Sequence, residues 1–336
     1  MVNVFDDFRY AMQYEQVNLD LDNTYNQSAK ESIDLAKPIR PSLVLDLGCG
    51  TGVSTYELFN SFSGINVVGL DKSGPFIEMA SFKFNKLGSL ESLLQKIRDN
   101  NPYPKILRDN CDVLDLETHL KSVVDKSGKF RENVSFYVKD ASEISSLQEK
   151  SFDYVLANQF IHWLRKKDAK QDEPNLDYEK NVLQQVRDKL KQEGKFSFNM
   201  SGADFEFDNP SINEMHLLNH PFYSEFTKAL YSQLGLEQPA KRVYTFNHAE
   251  VERIMEENGF NIEKTKHKII NRTPKMLLEV CLIGGHMQAF QKMNIDSTMQ
   301  EREKVLEESL SYASKKSSPN SKPVIETGIH YLVRKA

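Results

Sequence analysis

The sequence is poor in the residues that build disulfide or metal scaffolds. Cys49, Cys111 and Cys281 are its three cysteines, far apart and without CxxC spacing. An odd, scattered set argues against a disulfide framework or a structural zinc site and in favour of a reducing compartment. No His, Cys and carboxylate group has metal-ligand spacing, so no metal is expected. Basic residues are not in excess: 43 Lys and Arg stand against 48 Asp and Glu, a formal net charge of -5. Without a net attraction for polyphosphate, a nucleic-acid partner is not expected. No stretch nears the roughly 20 apolar residues of a membrane span. The opening residues MVNVFDDFRYAMQYEQ carry acids and aromatics where a signal peptide has a basic start and an apolar run. These absences point to a cytoplasmic protein without a membrane partner. Its hydrophobic content of 39% is enough for a sizeable core.

Strand signals alternate with helical ones. Leu43–Leu47, Asn66–Leu70, Val134–Val138, Phe152–Ala157 and Lys195–Asn199 are short apolar or β-branched runs punctuated by Gly, Pro, Asp or Asn. Helical patterns cover Tyr25–Ala36, Pro75–Phe84 and Tyr178–Leu190. Later come a helix over His248–Asn258 closed by Gly259, a strand over Asn261–Lys266 and a helix from about Pro274 to Gln291. A further helix opens with a capping box at Ser297 and Gln300, and Gly328–Val333 is a closing strand. Such alternation predicts an α/β fold, a doubly wound and mostly parallel sheet with helices on both faces.

Two stretches interrupt the pattern. Residues 87–131 are rich in Lys, Asp, Asn and Glu and read as a helical decoration. Residues 204–240 hold Phe205, Phe207, Phe222, Tyr223, Phe226 and Tyr231 beside His216 and His220. An insertion that follows a strand's C-terminal end sits over the crevice where such sheets bind ligands, so 204–240 is the expected substrate lid. In the N-terminal helices, residues 1–40, Phe5, Phe8, Tyr10 and Tyr14 read equally as a flap over the ligand or as a helix's core stripe, and residues 41–336 read as one domain.

Chemistry concentrates in Asp46-Leu47-Gly48-Cys49-Gly50-Thr51-Gly52 after the first strand. Glycines there let the backbone turn tightly and approach a ligand, and the following helix presents free N–H groups at its start. The spacing is G-x-G-x-G, and no P-loop G-K-[ST] is present. Asp71 ends the second strand 23 positions after Gly48, where a carboxylate accepts hydrogen bonds from both hydroxyls of a ribose.

With VVGLDKS, KDASEI and FDYVLANQFIHWL, the run VLDLGCGTG resembles the class I S-adenosylmethionine-dependent methyltransferases over roughly residues 25–82 and 132–200. The FIHWL ending is similar to the trans-aconitate, malonyl-carrier-protein and juvenile-hormone-acid methyltransferases, which esterify carboxylates. The resemblance implies a seven-stranded sheet and S-adenosylmethionine as cofactor. It implies that Asp46, Gly48, Cys49, Gly50 and Gly52 hold the methionine portion, with Cys49 packing rather than reacting. Asp71 would bind the ribose, Lys72 or Ser73 would line the adenine slot, and Asp140 and Ala141 would meet the adenine edge. Asn158 would face the methionine end.

A sulfonium methyl is already activated, so transfer asks for an in-line nucleophile and a site that excludes water. A carboxylate acceptor needs no base; a hydroxyl or amine benefits from one, most naturally a histidine. His162 follows the fourth strand and is the candidate base. Trp163, His216, His220 and Tyr223 are candidate substrate contacts, with His286 a fainter one. Asn101-Pro102-Tyr103 looks like the NPPY of nucleic-acid amino-methyltransferases but lies in the first insertion, not after the fourth strand. The expected activity is O-methylation of a carboxylate or hydroxyl in a partly apolar small molecule. N- or C-methylation, a carrier-bound acyl acceptor, an RNA or protein methyltransferase, and a non-catalytic partner of this fold remain as alternatives.

Overall fold

A computed structural model describes residues 6–17, 24–37, 39–100, 116–164, 176–201, 219–237, 246–272, 277–278, 281, 298–321 and 324–336. In chain order, the first half contains α1 (Phe8–Val17), α2 (Thr24–Ala36), β1 (Leu43–Leu47), α3 (Val53–Ser61), β2 (Asn66–Asp71), α4 (Gly74–Lys83), α5 (Leu90–Asn100), α6 (Leu116–Ser127), β3 (Val134–Val138) and β4 (Phe152–Ala157). There follow α7 (Leu176–Lys189), β5 (Leu190–Ser201), α8 (Pro221–Gln233), α9 (His248–Glu257), β6 (Phe260–Arg272), α10 (Met299–Lys316) and β7 (Val324–Lys335).

The strands form one seven-stranded sheet in the order β3-β2-β1-β4-β5-β7-β6. β1 pairs in parallel with both β2 and β4, β2 with β3, and β4 with β5, whereas β7 runs antiparallel to β5 and β6. The chain winds outward from β1 to β3, then returns to lay β4 against β1. That reversal opens a crevice at the carboxyl ends of β1 and β4, the place where doubly wound sheets hold ligands. Helices cover both faces, so the central strands are apolar along their length instead of alternating. In β1 only Leu43 is not fully buried.

Two large cores flank the sheet. Leu45, Val155, Phe196 and Phe198 pack with Val182, Val186 and Ile254 on one face; Val44, Val67, Tyr154 and Leu156 pack with Ile33, Leu58 and Phe59 on the other. A third cluster joins Phe222, Tyr223, Phe226 and Leu230 of α8 to Leu306, Leu310 and Ala313 of α10, with Leu277, Leu278 and Cys281. A fourth joins Phe8 and Met12 of α1 to Met79 and Phe82 of α4 and to Leu93, Ile97 and Leu120 of α5 and α6. The decoration at 87–131 and the N-terminal helix therefore share a core.

Local differences from the sequence reading have physical reasons. The capping box stands at Thr298 and Glu301, one residue beyond the expected Ser297 and Gln300. The Glu301 carboxylate, a stronger acceptor than a glutamine amide, takes the Thr298 N–H at 2.8 Å. β5 begins at Leu190 instead of Lys195, because a register shift opposite Phe152 and Tyr154 carries the chain through Gly194 without leaving the sheet. Much of the expected lid (204–218 and 238–240), the stretch 101–115, and most of the helix expected over 274–291 lie outside the described residues. Among the described residues no helix is long and apolar enough to cross a membrane.

Candidate active site

Asp46 is fully buried near the end of β1, at the foot of the glycine loop. Its Oδ2 accepts from Ser54 Oγ at 2.8 Å and from Thr55 Oγ1 at 2.5 Å, both in the first turn of α3. Burial raises its carboxyl to about 7 despite these donors, and the negative charge of Asp71 adds to the rise. The two acids therefore feel one another across the loop.

The loop itself is pinned to the end of β2. Gly48 and Cys49 donate their N–H groups to the Leu70 carbonyl at 2.8 and 3.1 Å. Gly48 has φ 71°, and a Cβ there would stand 2.2 Å from Cδ2 of Phe160, so only glycine fits beneath that ring. Gly50 donates its N–H to Asp71 Oδ2 at 3.0 Å, and Asp71 Oδ1 accepts the Ser73 N–H at 2.8 Å. Burial raises the Asp71 carboxyl while these two donors pull it back. Ser73, buried, caps α4 by accepting from Phe76 N–H, and Lys72 beside it is exposed. Cys49 is buried, and burial pushes its thiol well above the ordinary range. The thiol is packed away from solvent, where the un-ionised form is favoured.

Helix α1 forms a wall of the crevice. The Tyr14 ring lies 5.0 Å from Phe76 and 4.8 Å from Tyr25 between centroids. A Cβ on Gly50 would meet Phe76 at 3.8 Å and Tyr14 at 4.0 Å, so aromatic edges flank the loop crest without filling it. The next residue, Glu15, accepts from Thr51 Oγ1 at 2.6 Å and from Lys83 Nζ at 2.7 Å.

The other predicted cofactor residues follow β3 and β4. Asp140 caps a short turn: its Oδ1 accepts from Ser142 N–H at 3.0 Å, Ser142 Oγ at 2.8 Å and Tyr178 OH at 2.6 Å. Ala141 is buried behind it. Asn158 follows β4 and is tied down at both ends, its Nδ2 donating to the Tyr25 carbonyl at 3.1 Å and its Oδ1 accepting from Asn199 Nδ2 at 2.8 Å. Asn199 also donates to Ser32 Oγ at 2.8 Å and accepts the Gln159 N–H at 2.9 Å.

Among the acceptor-side candidates, His162 belongs to a short turn over Ile161–Trp163, its side chain lying outside what is described. Trp163 is exposed. His220 is buried and its Nδ1 accepts the Phe222 N–H at 3.1 Å, capping α8, while Tyr223 is buried in the core shared with α10. His216 and His286 lie outside the described residues. Tyr14, Glu15 and Asn199 shape the site without a motif of their own, with Tyr14 signalled only as one of the aromatics of residues 1–40, whereas Phe160 opens the FIHWL run. Among the described residues no group of three or more His, Cys, Asp or Glu is arranged to hold a metal ion.

A family model described as a methyltransferase domain matches residues 24–265. The chain belongs to that methyltransferase family. Its cofactor is S-adenosylmethionine. The residues present fit that molecule: a partly buried carboxylate ends β2, and a loop of left-handed glycines lies beside it with its backbone tied to that strand and that carboxylate. No curated protein matches the methyltransferase in sequence. Among solved structures, it is similar to phosphoethanolamine N-methyltransferase 2 of Haemonchus contortus in complex with phosphomonomethylethanolamine and S-adenosylhomocysteine. Identity is 16%, with 100% of this chain and 60% of that one covered and a TM-score of 0.43. The YcgJ protein of Bacillus subtilis matches with 14% identity, 93% and 99% coverage and a TM-score of 0.43. Likeness at that level says nothing of the acceptor.

Proposed function

We propose that this methyltransferase moves the methyl group of S-adenosylmethionine onto an oxygen, a carboxylate or a hydroxyl, of a small and partly apolar molecule. The observation that carries the cofactor half is the Asp71 carboxylate bound at once to Gly50 and Ser73, which holds the glycine loop and the end of β2 together. In this reading Asp46, Gly48, Cys49, Gly50 and Gly52 cradle the methionine portion, Asp71 and Lys72 meet the ribose and the adenine slot, Asp140 and Ala141 flank the adenine, and Asn158 faces the methionine end. Asp140 would do so while capping its own turn.

The acceptor half rests on the surroundings of the crevice. Tyr14, Tyr25 and Phe160 line its described rim and suit a partly apolar partner. His162, placed just after β4, would take the proton of a hydroxyl acceptor; Trp163, His216 and Tyr223 would contact the rest of the molecule. His220, committed to capping α8, would act by fixing that helix. Positioning an acceptor oxygen about 3 Å from the methyl carbon and excluding water are the chain's main contributions.

The test is release of S-adenosylhomocysteine with a panel of carboxylate, hydroxyl and amine acceptors, for the unaltered protein and for His162→Ala. A hydroxyl acceptor should lose about 10²–10⁴-fold in rate on His162→Ala, and a carboxylate acceptor only a small factor. Turnover confined to amines would overturn the oxygen assignment.

A further inference from the structure

We infer that Glu15 is a positioning residue for the glycine loop, and that it sets the loop for the cofactor from outside the stretch the family model matches. Glu15 belongs to α1, which precedes residues 24–265. Its carboxylate is wholly buried and divides its two oxygens. Oε1 receives two nitrogens: Lys83 Nζ of α4 at 2.7 Å and His119 Nε2 of α6 at 3.4 Å. Oε2 receives the hydroxyl of Thr51 at 2.6 Å. The Lys83 ammonium neutralises the charge from one side, and the other oxygen is aimed at the loop.

Thr51 is the one residue between Gly50 and Gly52, whose φ angles of 55° and 83° are both left-handed. Glycines at such positions keep the most backbone freedom, so a loop built on them is loose unless something ties it. Gly48, Cys49 and Gly50 are tied through their backbone to β2 and Asp71. Beyond them, Thr51 is buried and carries a side chain that reaches a fixed partner. The Glu15 tether therefore adds a side-chain anchor at Thr51, between the Gly52 N–H bond to the Cys49 carbonyl at 2.9 Å and the Asp46 contacts with Ser54 and Thr55 in α3. It also places the neighbouring Tyr14 beside Gly50, and the shared core of α1, α4, α5 and α6 gives it a rigid base. The helical decoration thereby acquires a role, since His119 supports Glu15 from α6.

This inference rests on the reading that the glycine loop binds S-adenosylmethionine, and calorimetric titration with S-adenosylhomocysteine tests it. Thr51→Val removes the hydroxyl at nearly constant volume and leaves the Glu15–Lys83 pair in place. It should weaken binding roughly fivefold or more. Thr51→Ser retains the hydroxyl and should stay within about twofold of the unaltered protein. Glu15→Ala should weaken binding similarly, and the double variant Glu15→Ala/Thr51→Val should bind no more weakly than the worse single one, because both break one tether. Thr51→Val binding as well as the unaltered chain, or full additivity in the double variant, would overturn the tether. If Glu15→Ala does not fold, the two Thr51 variants decide. No binding by the unaltered chain would bring down the cofactor reading and this inference together.

Discussion

The carboxylate of Asp71 takes the backbone N–H of Gly50 at 3.0 Å and that of Ser73 at 2.8 Å. An acid read from sequence as a ribose ligand is thus also the brace between the glycine loop and the start of α4. Asp71→Ala removes both functions. Hydrogen bonds to a charged group contribute about 1.5–3 kcal/mol each, so S-adenosylhomocysteine affinity should fall by tenfold or more. Asp71→Asn, which keeps one acceptor, should lie between. Calorimetric affinity unchanged in Asp71→Ala would remove this residue from the site.

Gly48 lies under the ring of Phe160. Alanine there would suffer both a left-handed φ and a Cβ 2.2 Å from a ring carbon. Gly48→Ala should lower stability by about 1–3 kcal/mol, read as a drop in melting temperature. Adding Phe160→Ala should relieve the steric share but not the backbone share. A melting temperature unmoved by Gly48→Ala would show that the loop is not held against that ring.

Glu15 links stability to acid. Burial by itself would raise its carboxyl, but the ammonium of Lys83, together with His119, more than offsets this and brings it from 4.5 down to about 2. A depressed carboxyl contributes stability that is present above 4.5 and lost as pH falls through about 2, here of the order of 3 kcal/mol. Asp46, raised from 3.8 to about 7, works in the opposite sense: its contribution is present below 3.8 and lost as pH rises through about 7. Comparing the unaltered chain with Glu15→Gln isolates the first effect. Their difference in denaturant stability should shrink as pH is lowered from about 5 towards 3; a difference that stays constant over that range would show that Glu15 is not held ionised by its neighbours.

What the sequence determined by itself was the layout of the sheet and the location of the loop. β1, β3 and β4 were legible to the residue because short apolar or β-branched runs closed by Gly, Asp or Asn are local signals, whether the strand is central like β1 or at the edge like β3. The spacing from Gly48 to Asp71 was equally local, being one strand–helix–strand unit. Tertiary structure alone decided which side chains brace that loop. Thr51 and Glu15 are 36 positions apart, Lys83 and Glu15 are 68 apart, and Asn199 reaches Asn158 across 41. No periodicity or motif encodes such pairs, because each is made by docking elements that are distant along the chain, and a glutamate in MQYEQ looks like any solvated helix residue until α4 and α6 close over it. His220 makes the same point in reverse: its residue type suggested chemistry, and its burial at the start of α8 makes it a cap.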